Sequence, residues 1–140
     1  MFKKVLIPVD LAVKEGAQTL LETAKALTHD WDCELHVATV IPNFGMAIVG
    51  SYFDEGFEAE SVKAASQQLA TAMAEAGIDA QPHVLTGTIY DAVIGLGATL
   101  DADLIIIGAH QPELRDYLLG SNAARVVRHS KQSVLVLRDT

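Results

Sequence analysis

Residues 105–111 read IIIGAHQ, and residues 118–124 read LLGSNAA. The first segment begins as a short β-branched run, which is typical of a strand buried on both faces, and it breaks at Gly108. The second segment places Gly120, Ser121 and Asn122 at the start of a helical pattern. Glycine lets a ligand approach the backbone, and a helix start offers unpaired N–H groups and a positive dipole end. We therefore predict that this strand, loop and helix together hold a phosphate group.

The rest of the chain alternates between apolar runs and amphipathic segments. Strands are predicted at 5–9, 33–41, 80–86, 104–107 and 133–137, and helices at 14–29, 55–76, 87–100 and 121–129. Such alternation is typical of a parallel sheet with helices on both faces, connected by right-handed crossovers. We predict a single α/β domain over residues 1–140, with a doubly wound five-stranded parallel sheet in the order 3-2-1-4-5. Residues 42–55 read as a long, partly apolar loop that serves as a lid or an oligomer contact.

That strand order contains a topological switch between strands 1 and 4. Ligands of open α/β sheets bind beyond the carboxyl ends of the strands at such a switch. The two strand exits there are Pro8-Val9-Asp10 and the segment that follows Ile107. The phosphate-binding loop is therefore predicted to face Asp10, which is either a ligand contact, a second-shell group of a metal or an ordinary acidic loop residue.

Composition excludes several classes of function. The formal net charge of −8 argues against general nucleic-acid binding and against an anionic membrane surface. No apolar run is long enough to span a bilayer, and the apolar run at the start is too short for a signal peptide, which predicts a cytoplasmic protein. Cys33 is the single cysteine, so an internal disulfide is excluded. A basic cluster at residues 125–131 is either a phosphate or partner contact or a solvated last helical turn.

No catalytic constellation stands out among the motifs. The nucleophile elbow, the HExxH zinc motif and the P-loop lysine are absent, and the histidines are scattered without metal-ligand spacing. Other families of this architecture fit poorly. A response-regulator receiver needs an acidic pair after strand 1, and a flavodoxin needs a Ser/Thr-rich loop there, whereas this chain has the residues LAVKEG at 11–16.

Taken together, IPVD at residues 7–10, the GAH that begins at Gly108, LLGSNA at 118–123 and SVLVL at 133–137 resemble the universal stress protein family. The resemblance covers essentially the whole chain. Nucleotide-binding members carry the signature Gly-x2-Gly-x9-Gly-(Ser/Thr) after strand 4. Gly108 matches its first glycine and Gly120-Ser121 its last pair, whereas Gln111 replaces the middle glycine and the spacing to Gly120 is one residue short. This variant resembles a small, single-domain bacterial branch that is associated with ATP.

The resemblance implies a site for ATP, with Mg²⁺ on the phosphates, and a set of contact residues. The adenine and ribose side would be lined by Pro8, Val9, Asp10 and Val40. The ribose and phosphates would be contacted by Gly108, Gly120, Ser121 and Asn122, and reached by His110 and Arg115. Ser121 also fits a plain helix N-cap.

The resemblance also implies a homodimer in which two terminal strands meet, with tetramers left open. The residues concerned are Val134, Leu135, Val136 and Leu137. An apolar strand at the edge of a sheet independently favours pairing with a second strand that covers it. The function implied is that of a nucleotide-dependent regulatory protein, which responds to stress through an unidentified protein partner. Two alternatives stay open: a weak ATPase or phosphotransferase, and a nucleotide-free interaction module.

Overall fold

The computed structural model describes residues 2–42, 55–109 and 118–138, and for residues 55–58 and 118–121 it describes the backbone. The strands are β1 (Lys4–Pro8), β2 (Glu34–Ile41), β3 (Gln81–Thr86), β4 (Leu104–Ala109) and β5 (Ser133–Arg138). The helices are α1 (Lys14–Thr28), α2 (Glu55–Ala76), α3 (Ile89–Leu100) and α4 (Leu118–His129). The long loop predicted at 42–55 lies almost wholly outside the described residues.

All the strand pairs are parallel, and the sheet has the order β3-β2-β1-β4-β5. The predicted fold class and strand order are confirmed. The central strands are nearly continuous apolar runs because both of their faces are covered: Ile105, Ile106 and Ile107 in β4 are each 0% exposed.

Two hydrophobic clusters cover the two faces of the sheet. On one face α1 and α2 pack over alternate strand residues such as Val5, Ile7 and Ile106. On the other face α3 and α4 pack over the intervening residues, such as Leu6 and Ile105. The period of two along each strand sends neighbouring side chains to opposite layers, which is why a run of isoleucines supplies both clusters.

Several element boundaries differ from the sequence prediction by one to three residues, and two of them lie beside the predicted phosphate loop. β4 does not break at Gly108 but continues through Ala109, because Gly108 pairs with Leu137 and Ala109 with Arg138 of β5. α4 begins at Leu118 rather than at Ser121. The interpretation of Ser121 as the helix N-cap is therefore wrong, since three helical residues precede it.

Gly77 ends α2 as predicted, with φ +68°. The N–H of Ile78 donates to the Met73 carbonyl and that of Gly77 to the Ala74 carbonyl, each at 3.1 Å, which is the Schellman pattern. Across the described parts of the chain, none of the helices combines the length and the apolar character that crossing a membrane requires.

Candidate functional site

A crevice opens between β1 and β4 at their carboxyl ends. Between the two strands Val5 pairs with Leu104 and Leu6 with Ile105. The pairing then ends, although β4 continues for four more residues. On its other side β1 stays paired with β2 as far as Pro8. The strands therefore part at the topological switch, where open α/β sheets bind ligands.

Pro8 provides the physical reason for this separation. The Val9 N–H donates to the Ala38 carbonyl of β2 (2.8 Å), and the Lys4 carbonyl accepts the Asp103 N–H from the β4 side (2.9 Å). Alternation along the strand then turns the amide position of Pro8 toward β4. Proline has no N–H to donate there, so the ladder to β4 loses a bond at this residue.

Asp10 shapes the loop that leaves β1. Its Oδ1 accepts the backbone N–H of Ala12 (3.0 Å), and its carbonyl accepts the N–H of Val13 (3.1 Å). This turn delivers the chain directly into α1, whose first residue is Lys14. The amino end of α1 therefore lies at the same edge of the sheet as the crevice.

Val9 and Val40 occupy different positions relative to the crevice. Val9 follows β1 and is 4% exposed, packed in the cluster beneath α1. Val40 lies near the carboxyl end of β2, is half-buried, and packs against the opposite cluster. The tertiary structure brings both residues to the carboxyl edge of the sheet, as predicted, but on opposite faces of it.

The described residues give no reason for a glycine at position 108. Its φ is not positive, since among the described glycines only Gly77 and Gly87 have positive φ. A Cβ built on Gly108 would lie 3.6 Å from Leu20 Cδ2, which is ordinary van der Waals contact. Among the described residues, both the backbone conformation and the packing at this position would accept alanine.

Asn122 connects the two helices of its face. Its Oδ1 accepts the backbone N–H of Tyr90 in the first turn of α3 (3.1 Å), where Thr88 makes no side-chain capping bond. Gly120 and Ser121 lie in the first turns of α4, and their side chains are not described. His110, Gln111 and Arg115 lie outside the described residues.

A groove of about 430 Å³ lies between α1 and α2. Leu11 and Lys14, which line one end of it, come from the loop after β1 and the start of α1, while its other wall is α2. Within residues 2–42, 55–109 and 118–138, no cluster of three or more His, Cys, Asp or Glu side chains has the arrangement of a metal site.

Sequence reasoning missed a polar chain on the α3 face of the sheet. Buried His36 contacts Glu34 through Nε2 (2.6 Å to Oε2) and His83 through Nδ1 (2.9 Å to Nε2). The spacing of Glu34 and His36 on one strand places them on the same face, which is a readable signal. The register that sets β3 beside β2, and with it His83, is not readable from the sequence.

The sequence-family model of the universal stress protein family matches residues 1–138. This chain belongs to the universal stress protein family. Universal stress protein G of Salmonella typhimurium is 32% identical to it over 143 aligned residues, which cover 99% of this chain and all of that one.

Solved structures of other family members share the fold. The universal stress protein of Archaeoglobus fulgidus in complex with dAMP superposes with a TM-score of 0.65 at 18% identity, covering 96% of each chain. A universal stress protein in complex with cAMP superposes with a TM-score of 0.63 at 22% identity, covering 97% of this chain and 96% of that one.

Proposed function

We propose that this universal stress protein binds ATP, with Mg²⁺ on the phosphates, in the crevice between β1 and β4. Nucleotide occupancy would then regulate its contact with a protein partner in a stress response. The observation that carries the proposal is the separation of β1 from β4 after Leu6 and Ile105, at the point where the strand order reverses. A crevice at this position is the usual ligand site of such sheets.

Two features of the backbone support a phosphate ligand. Gly108 has no side chain at the exit of β4, although the described residues around it would accept one. Gly120 lies in the first turn of α4, where N–H groups have no partner within the helix. Such groups, with the positive end of the helix dipole, favour a phosphate.

The known complexes of relatives support the nucleotide class. The two structures described above contain cAMP and dAMP, which share an adenine base and a phosphate. ATP contains both groups, so the proposed ligand lies within that chemistry. Because no cluster of metal ligands is found among the described residues, Mg²⁺ is proposed to bind through the ATP phosphates rather than in a protein site of its own.

We further propose that two copies meet through β5. Among the described strands β5 has β4 as its single neighbour, and its residues Val134–Leu137 are half-buried against both clusters. A second β5 across a two-fold axis would cover this apolar edge. ATP is a cytoplasmic metabolite, so the same proposal places the protein in the cytoplasm.

Isothermal titration of ATP and Mg²⁺ into the purified protein tests the nucleotide site. We expect saturable binding below millimolar ATP, and loss of binding in Gly120→Val, which puts a branched side chain beside the phosphates. Gly95→Val is the matched control, because it makes the same change in a helix at a position where a Cβ meets nothing within 4 Å. Absence of binding by the unmodified protein, or equal binding by the two variants, would contradict the proposal.

Two further measurements test the proposed dimer and the expectation that ATP is not turned over. Sedimentation equilibrium at tens of micromolar protein is expected to give the mass of a dimer, and a monomer would reject the β5 contact. Phosphate release from ATP is expected to stay below one turnover over the binding experiment. Multiple turnovers by an activity that co-purifies with the protein would instead favour the weak ATPase or phosphotransferase.

A further inference from the structure

A buried histidine connects two strands on the α3 face of the sheet. His36 in β2 is 2% exposed, and its two ring nitrogens contact different partners. Nε2 lies 2.6 Å from Oε2 of Glu34, and Nδ1 lies 2.9 Å from Nε2 of His83 in β3. The two imidazole rings lie with their centroids 5.1 Å apart.

The protons of this chain can be assigned when both rings are neutral. A carboxylate only accepts, so His36 must donate Nε2–H to Glu34. Nδ1 of a neutral His36 is then an acceptor, and His83 must donate its Nε2–H to it. Both neutral rings are therefore Nε2–H tautomers.

One added proton exchanges the donor and the acceptor of the hydrogen bond between the two rings without breaking it. It lies best on His36, beside the Glu34 carboxylate. His36 Nδ1–H then donates to Nε2 of His83, which becomes the Nδ1–H tautomer. A second proton leaves two N–H groups directed at each other across 2.9 Å, and the hydrogen bond is lost.

We propose that Glu34, His36 and His83 form a proton-responsive lock between β2 and the edge strand β3. The lock takes up one proton with its hydrogen bond intact and opens when a second proton enters. β3 has β2 as its only neighbour in the order of the described sheet, so this side-chain bond adds to a single backbone ladder.

The charges around the two rings favour this order of protonation. Burial, and then the charge of His36, lower the pKa of His83, so the second proton is resisted. The hydrogen bond from His36 lowers the pKa of Glu34, which keeps its carboxylate charged; burial opposes this, while the charges of His36 and Lys4 add to it. The Lys4 ammonium lies 3.9 Å from the same oxygen.

The helix that packs on this part of the sheet, α3, carries its ionisable side chains away from the two histidines. α3 carries two ionisable residues, Tyr90 and Asp91, and both lie at its amino end, toward the carboxyl edge of the sheet. The hydrogen bonds of His36 and His83 are at the other half of β2 and β3. The lock therefore depends on Lys4, Glu34 and the two histidines.

Nitrogen NMR of the unmodified protein from pH 8 to pH 4 tests the lock directly. The expected result is a change of His83 from the Nε2–H to the Nδ1–H tautomer as the pair of histidines takes up its first proton. His83 should then become charged only below the ordinary pH range of a histidine, since its pKa is lowered. If His83 keeps one tautomer over this range and becomes charged at the ordinary pH of a histidine, the lock is wrong.

Thermal unfolding at the same pH values provides a second test. Because the folded-state pKa of His83 lies below its unfolded value, stability is fully present above the unfolded pKa and is lost as the pH falls through the folded one. Between pH 8 and pH 5 the melting temperature should fall less in His83→Phe than in the unmodified protein. His29→Phe, which replaces a histidine with an 80% exposed side chain, should behave like the unmodified protein. Equal falls in all three proteins would overturn the proposal, and if His83→Phe fails to fold the NMR result decides.

Discussion

The side-chain oxygen of Asn122 in α4 accepts the backbone N–H of Tyr90 in the first turn of α3, at 3.1 Å. Residues 32 positions apart thus form a helix cap in which one helix satisfies the other. Asn122 was predicted as a phosphate ligand, and the structure shows its side-chain oxygen in the cap of α3. The two roles can be separated because the cap uses an acceptor, whereas a phosphate needs donors.

Asn122→Asp and Asn122→Ala distinguish these roles. The aspartate keeps an acceptor for Tyr90, so we expect stability close to that of the unmodified protein, but its charge repels phosphates and should weaken ATP binding about tenfold, or ~1.4 kcal/mol. The alanine loses the cap and should lower the free energy of unfolding by about 1 kcal/mol. Urea denaturation and ATP titration measure the two effects. ATP binding unchanged in Asn122→Asp would remove this residue from the phosphate site.

Gly108→Ala tests whether the missing side chain serves a ligand. The new Cβ would lie 3.6 Å from Leu20, so we expect a folded protein with near-normal stability and weaker ATP binding. Gly97→Ala is the control, since its Cβ would lie at a similar 3.5 Å from Ile105, in a buried part of α3 away from the crevice. Calorimetric titration compares the two variants. If both bind ATP like the unmodified protein, Gly108 is not a ligand contact.

Gly77→Ala should destabilise the end of α2. With φ at +68°, an L-residue there costs about 1 kcal/mol, and the new Cβ would also displace the Lys25 ammonium, which lies 3.1 Å away. Gly95→Ala makes the same change in the exposed interior of α3 and should stabilise by about 0.5–1 kcal/mol. Urea midpoints should therefore move in opposite directions. A shift of both in the same direction would contradict this assignment of the cap.

Asp103→Ala should loosen the start of the sheet. The carboxylate accepts the backbone N–H groups of Lys3 and Lys4, each at 2.9 Å, and thereby joins β4 to β1. We expect the free energy of unfolding, measured by urea denaturation at pH 7, to fall by about 1 kcal/mol. Asp79→Ala, which removes the same charge from an exposed position, is the control and should be close to neutral.

The difference in stability between the unmodified protein and Asp103→Ala should depend on pH, and the direction of this dependence follows from the pKa of Asp103. Burial raises the pKa of Asp103, but its backbone hydrogen bonds, led by those from Lys3 and Lys4, outweigh this and leave it below the ordinary value. The stabilisation is therefore present at neutral pH and is lost as the pH falls through the lowered pKa. The gap between the unmodified protein and Asp103→Ala should narrow in acid. A gap that is constant down to pH 3 would show that the carboxylate charge does not matter.

Local sequence determined most of the architecture. Apolar runs such as Ile105–Ile107, alternating with segments of helical period, predicted all five strands, their parallel arrangement and the strand order. Gly77 marked the end of α2 because a left-handed cap is a local requirement of the backbone. The crevice followed from the order of the strands rather than from any one residue.

The tertiary structure alone decided which distant groups meet. Strand register placed His83 beside His36, helix packing placed Asn122 over Tyr90, and the pairing of Gly108 with β5 carried β4 past the glycine that the sequence suggested as its end. Each of these contacts depends on a translation or rotation of one element against another. Hydrophobic periodicity determines which face of an element is buried, but it carries no information about that displacement.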